Sequence, residues 1–148
     1  MPALLRPAVS EDWPAIAALL TRHDLPLDGA ADHLAHFVVA EGAEGITGVA
    51  GLEVYGEAGL LRSVAVAVPG QGLGTRLVEH VIDRATAAGL RQLLLLTTTA
   101  GEFFPRFGFS PLTRDAVPAV LQASREFRGA CPSSALVMQR TLRHEELR

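Results

Sequence analysis

Chemistry-bearing residues concentrate in the stretch VPGQGLGTRLVEH, which starts at Val68 and alternates glycines at Gly70, Gly72 and Gly74. The apolar LLRSVAVAV precedes it and TRLVEHVIDRATAAG, with helical spacing, follows it. A glycine turn between a strand and a helix start offers free N–H groups and the positive end of a helix dipole to an anion, a phosphate above all. The Walker arrangement needs Gly-Lys-Ser/Thr after a longer loop, and no lysine stands near. The dinucleotide fingerprint needs a glycine at position 75, where Thr75 stands. It also needs an acidic residue at the end of the next strand, where Thr97-Thr98-Thr99 stand. What remains is a pyrophosphate held by backbone amides for recognition rather than cleavage, or a turn that only folds the chain back.

Other reactive side chains are more dispersed. His33 and His36 fall on one helix face, but two imidazoles without a third ligand make no metal site, and a solvated surface is expected. Cys131 in GACPSS reads as a small buried hydrophobe. Arg62 lies inside an apolar strand, so it faces solvent or has a partner. Simple alternation puts it on the face of Val64 and Val66, opposite Ser63 and Ala65. Arg106, Arg114, Arg125 and Arg128 gather around the last helical stretch, as a solvated basic face or as a carboxylate clamp.

The elements that must position these groups follow from periodicity. Residues 3–9 read as a strand, and Ser10-Glu11-Asp12 supply N-cap candidates for a helix marked by Trp13, Ile16, Ala17 and Leu20. Residues 27–36 predict a short helix. FVVAE (37–41), ITGVAGLEVY (46–55) and GLLRSVAVAV (59–68) predict three strands. A helix is predicted over 72–88, with Leu73, Leu77, Val81 and Ala85 on one face and Gly89 at its C-terminal end. QLLLLTTT (92–99) reads as a strand apolar on both faces. A short helix in GEFFPRFG, a helix over 116–127 and a last strand, ALVMQRTL (135–142), complete the pattern. Strands followed by β-α-β-α alternation give an α/β or α+β sheet with helices on both faces.

Bulk properties bound the function. A chain of 148 residues, 49% hydrophobic and 20% charged, can bury one core, which predicts a single domain. A net charge of −3 without a basic block argues against nucleic acid, and no apolar run is long enough to span a membrane. One cysteine excludes an internal disulfide framework. With no signal-peptide pattern at the start, a cytoplasmic enzyme or binding domain is expected.

On these residues the chain resembles the GNAT acetyltransferases. That family carries Q/R-x-x-G-x-G/A between its fourth strand and the following helix, and Gly72-Leu73-Gly74 match the second half. Downstream, Ala100 followed by Phe103-Phe104-Pro105-Arg106-Phe107-Gly108-Phe109 is similar to the family's F-Y-x-x-x-G-F segment. The resemblance implies a mixed sheet of about seven strands, splayed in a V between strands four and five, over residues 1–148. It implies acetyl-CoA as cosubstrate and no metal. Val64, Ala65 and Val66 would pair with pantetheine. Gly70, Gln71, Gly72, Leu73, Gly74 and Thr75 would hold the pyrophosphate, with Phe104 and Arg106 beside them.

LLTTTA, FFPRFGF and REFRGACPSSALVM further resemble amino-acid N-acetyltransferases of the N-acetylglutamate synthase type, and a short subgroup associated with arsenic-resistance genes. This implies a small amine acceptor, amino-acid-like, whose carboxylate meets arginine and serine near the last strand. Ser134 matches the serine. Pro132 or Ser133 replaces the arginine, leaving Arg62, Arg114 or Arg128 to take over.

The chain also departs from the pattern. Pro69 stands where the family has Gln or Arg, and the turn runs short, so Gly70 and Gln71 must substitute. Phe104 replaces the tyrosine that protonates the departing thiolate, which leaves Thr98, Thr99, Ser134 or water for that step. A thiol of pKa about 8.5 is in any case a tolerable leaving group. Leu60 or Leu61 replaces the usual glutamate. Glu53 is the nearest carboxylate, either a general base or an exposed strand-end charge, with a base acting through water as the other route. A catalytically degraded acyl-CoA sensor with the same fold is the alternative function, and a nucleotide-binding regulator of another α/β fold is a third. A homodimer is left open.

Overall fold

The computed structural model describes residues 3–98, 102–130 and 135–142. Seven strands form one sheet: β1 (Leu4–Pro7), β2 (Val38–Gly42), β3 (Gly45–Tyr55), β4 (Ala58–Val66), β5 (Gln92–Thr97), β6 (Ser110–Pro111) and β7 (Leu136–Thr141). Their order across the sheet is β1-β2-β3-β4-β5-β7-β6. Helix α1 (Trp13–Arg22) packs on one face and α2 (Leu73–Ala87) on the other. α2 buries Leu77, Val78, Val81, Ile82 and Ala85, the stripe that its 3.6-residue period dictates. β5 sends Leu93 and Leu95 toward α2 and Leu94 to the other face, so both of its faces are core.

The sheet is antiparallel except at its centre. β4 and β5 run parallel and pair only at Ala58–Gln92, Gly59–Leu93 and Leu60–Leu94. Beyond that point β5 stays with β7 through Thr97 and β4 stays with β3 up to Val66. The two strands part, and a V-shaped seam opens in the middle of the sheet.

A bulge shapes one side of this seam. Gly51 pairs with Arg62 but Val49 pairs with Ala65, so β4 carries one extra residue there. Ser63 takes it up with φ 62°, in the left-handed region. Side-chain alternation inverts across the bulge. Val64 and Val66 join Leu61 in the α2-side core, whereas Arg62 lies with Leu60 and Ala65 on the opposite face. Simple parity therefore misplaced Arg62.

Two predicted elements differ. The segment 116–127 is not an α-helix but a succession of short turns: 3-10 turns at Arg114–Ala116 and Ala119–Ala123, then a π-type turn at Glu126–Ala130. Pro118 cannot continue a helix and drives Val117 to an extended conformation (ψ 132°). β4 ends at Val66 rather than at Val68, which is exposed. Residues 27–36 give a 3-10 segment, Ala31–His36, irregular at His33.

Candidate active site

At the wide end of the seam lies a cleft of about 480 Å³. One wall is Val64, Ala65 and Val66 of β4. The floor is Val68, Pro69, Gly70 and Gly72 of the turn, with Leu73, Gly74 and Thr75 of α2. Phe103, Phe104 and Arg106 close the far side, and His23 stands at the rim.

Each surface has a local cause. Gly70 and Gly72 have φ of 86° and 77°, values that favour glycine, and Gly72 is the N-cap of α2. No side chain caps this helix and its first turn holds no acidic residue. The uncapped N–H groups of the first turn and the positive helix pole therefore face whatever enters. Arg106 is fixed beside them: its Nε donates to Phe103 O at 3.0 Å, and its guanidinium lies 4.8 Å from the Phe103 ring centroid. The cleft thus combines an anion site with an apolar slot.

β4 contributes its backbone. Ala67 N–H donates to Thr47 O at 2.8 Å. Antiparallel alternation then turns the amide of Val66 away from β3, into the seam, and that of Ala65 toward β3. Of the Ala65 and Val66 N–H groups, the ladder presents that of Val66 to the seam.

Nearly every residue expected at a pyrophosphate and pantetheine site lines this cleft. Gln71 does not. It lines a neighbouring cavity of about 350 Å³ with Thr47 and Arg76, which shares Val68 and Leu73 with the cleft. Thr98 is exposed and does not line the cleft either. Thr99, Cys131 and Ser134 lie outside the described residues.

Glu53 and Arg62 come together elsewhere. Glu53 is 0% exposed and Arg62 3%, so neither is a surface charge. Arg62 Nη1 donates to Glu53 Oε2 at 2.6 Å and to Asp28 O at 2.7 Å, and Nη2 donates to Pro26 O at 3.0 Å. Its Nε reaches Ser63 Oγ at 3.1 Å and pairs with Glu126 Oε2 at 3.2 Å. One guanidinium thereby ties β3, β4, the α1–β2 connection and the turn at Glu126–Ala130. Its donors are engaged, so Arg62 is not a free clamp for a substrate carboxylate.

Burial alone would push the Glu53 carboxyl up, but hydrogen bonds from Tyr55, Arg62 and Ser124 hold it below the usual carboxylate range. A general base must be reachable and must want a proton; Glu53 is neither. Tyr55, which donates to Glu53, is itself pushed up to about 12, chiefly by burial. His33 stands 5.9 Å from the Tyr55 ring and 3.8 Å from Glu53 rather than on a solvated helix face. Arg114 donates to Ala135 O at 3.1 Å, and Arg128 is exposed. Tyr55, Ser124 and Glu126 are the members that sequence reading missed. Only Tyr55, two residues from Glu53 on the same strand face, left a local signal.

Comparison with known proteins agrees with this geometry. Residues 33–111, more than half of the chain, match the acetyltransferase (GNAT) domain, and the chain belongs to that family. An amino-acid acetyltransferase of Neisseria meningitidis is 31% identical over 147 residues, 92% of this chain and 33% of the relative. This chain therefore spans about a third of the length of that curated relative. The N-acetylglutamate synthase of Neisseria gonorrhoeae, solved with coenzyme A and N-acetyl-glutamate, superposes with a TM-score of 0.82 at 27% identity, over 96% of this chain and 35% of that one. A Mycobacterium tuberculosis protein solved with CoA shares the fold across nearly its whole length, with a TM-score of 0.78, 24% identity and coverage of 95% and 99%.

Proposed function

We propose that this chain is an acetyl-CoA-dependent N-acetyltransferase, a single domain over 1–148, that transfers acetyl directly to the amine of a small amino-acid-like acceptor. One observation carries the reading: an uncapped helix N-terminus behind a glycine turn opens onto a seam whose edge presents the Val66 amide. The residues present fit the group. The first turn of α2 and Arg106 would hold the pyrophosphate, and the β4 edge would pair with the pantetheine amides. The bound thioester supplies the electrophilic acetyl group. The chain's part is to orient it, to offer the Val66 N–H to the developing oxyanion and to exclude water with Phe103 and Phe104.

Phe104 is 7% exposed and cannot donate a proton. If the thiolate leaves unaided, Phe104→Tyr changes kcat by less than about threefold; a rise of about a hundredfold would mean that acid catalysis limits this enzyme. That residue, and the engagement of Glu53, are the observations that favour the sensor reading. Thiol release from acetyl-CoA across an amine panel separates the two.

The acceptor class rests on the relatives named amino-acid acetyltransferases. Because Arg62 is engaged, Arg114, Arg128 and Ser134 are the candidates for a carboxylate. A free amino acid should exceed its carboxamide in kcat/KM by at least about tenfold at matched amine pKa, because a bidentate guanidinium–carboxylate pair both binds and orients the acceptor. Equal rates, or equal rates with spermidine, would remove the carboxylate from the description. Catalysis by Glu53 or Thr98 finds no support in their positions. A cytoplasmic location and the link to arsenic resistance belong to the same proposal. Among the described residues, no helix is long and apolar enough to cross a membrane and no group of three or more His, Cys, Asp or Glu side chains gathers.

A further inference from the structure

We infer that His23 is the general base of the cleft. The inference rests on the acetyltransferase reading. Transfer to an ammonium group requires a reachable proton acceptor, and Glu53, buried beneath Arg62, is not one. Among the side chains lining the cleft, Arg106 holds its proton permanently and Thr75 is a hydroxyl. Among the described residues, His23 is the remaining lining side chain with a nitrogen lone pair that can accept a proton.

Its placement is built rather than incidental. His23 follows the last residue of α1, and its backbone N–H closes the helix onto Leu20 O at 3.1 Å. Asp24 then turns left-handed at φ 58°, and the N–H groups of Asp24 and Leu25 bond Thr21 O and Leu20 O at 3.1 and 2.9 Å. This closed turn fixes the direction of the imidazole. Arg22 Nη2 donates to Ala67 O at 3.0 Å, and His23 Nε2 lies 2.9 Å from Val66 O, so two adjacent carbonyls, the last of β4 and the one after it, moor the helix end at the seam.

The Val66 bond also sets the tautomer. A carbonyl oxygen only accepts, so Nε2 carries the proton in neutral His23 and Nδ1 holds the free lone pair. Nδ1 makes no hydrogen bond among the described residues, and the side chain is exposed to the cleft rim. The carbonyl has a second lone pair, so a cofactor amide can share Val66 O without displacing the ring.

Proton and electron pairs balance simply. Nδ1 takes one proton from R–NH₃⁺. The freed nitrogen lone pair forms the C–N bond at the thioester carbon, and the carbonyl π pair moves to oxygen beside Val66 N–H. The nitrogen loses its second proton to solvent, the oxyanion pair returns to re-form the carbonyl, and the C–S bond breaks with its pair going to sulfur. The thiolate then takes the proton from His23. The products are the amide, the thiol and one released proton.

The test uses the intact chain, acetyl-CoA and the best acceptor from a panel of free amino acids. His23→Gln can still donate to Val66 O but cannot act as a base. It should keep the acetyl-CoA Kd within about twofold while kcat falls by about a hundredfold or more, and the acid limb of the kcat/KM profile should move up to the ionisation of the acceptor amine itself. Imidazole added to His23→Ala should restore part of the rate. A residue that only moored α1 would alter Kd and the melting temperature while leaving the pH profile intact. Wild-type-like kcat and profile in His23→Gln overturn the inference alone. A wild-type chain that binds acetyl-CoA but acetylates no amine overturns the transferase reading, and this inference with it.

Discussion

Arg62→Met should cost about 3–5 kcal/mol of folding stability, the scale for removing one partner of a buried ion pair. The side chains of Arg62, Glu53 and Glu126 are 0%, 1% and 4% exposed, so water cannot take over for the missing cation. Glu53 and Glu126 would be left facing each other's charge, and Pro26 O and Asp28 O would each lose a donor. Denaturant midpoints at constant m report the loss. The pH dependence provides a second signature. In the wild type the depressed Glu53 carboxyl contributes stability that is present above its ordinary pKa, about 4.5, and is lost as pH falls through its lower folded value. Without Arg62 two of the causes that hold the carboxyl down are gone while burial still pushes it up, so its folded value rises and this loss of stability in acid shrinks. A loss under about 1 kcal/mol, with unchanged acid behaviour, would mean that the cluster is hydrated and holds nothing together.

Gly74→Val should abolish tight acetyl-CoA binding while leaving the fold intact. A Cβ at position 74 meets only the Phe103 ring, at 3.7 Å, which is ordinary contact. The position lies in the first turn of α2, where valine is tolerated as well as glycine. Its methyl groups would nevertheless stand over the N–H groups that an anion must approach. Titration calorimetry should show Kd raised by at least about a hundredfold, or about 2.7 kcal/mol. Gly72→Val adds backbone strain of roughly 1–2 kcal/mol, because residue 72 has φ 77°, and so is the less clean test. Unchanged affinity in a folded Gly74→Val protein would sink the assignment of the pyrophosphate to this turn.

What was legible in the chain was legible for local reasons. The α2 face follows from a 3.6-residue period, and the anion site follows from glycines placed between a strand and a helix start; neither needs knowledge of distant residues. Arg62 shows where that logic stops. The bulge at Ser63 has no glycine or proline to announce it, yet one extra residue sends Arg62 through to the other face. There it meets Glu126, which only the turns after Pro118 bring into reach. Periodicity over 116–127 suggested a helix, and Pro118 overruled it. His23 left no signal at all. It became visible only when the end of α1 was seen to rest on the carbonyls of Val66 and Ala67 at the end of β4.

The seam between β4 and β5 also bears on the exposure of unpaired strand edges. Unpaired strand edges at the rim of a sheet are templates for aggregation, and proteins blunt them with charges, prolines or bulges. Here two such edges lie inside the sheet. The pairing at Ala58–Leu60 closes the seam at one end, and Phe103, Phe104 and the glycine turn crowd the other. An incoming strand from a second molecule would need a free flank along several residues, and the recess denies it one. A slender chain bearing one or two amides can still slide in. The geometry that sorts ligands by width thus also keeps exposed backbone in the centre of the molecule from recruiting its neighbours.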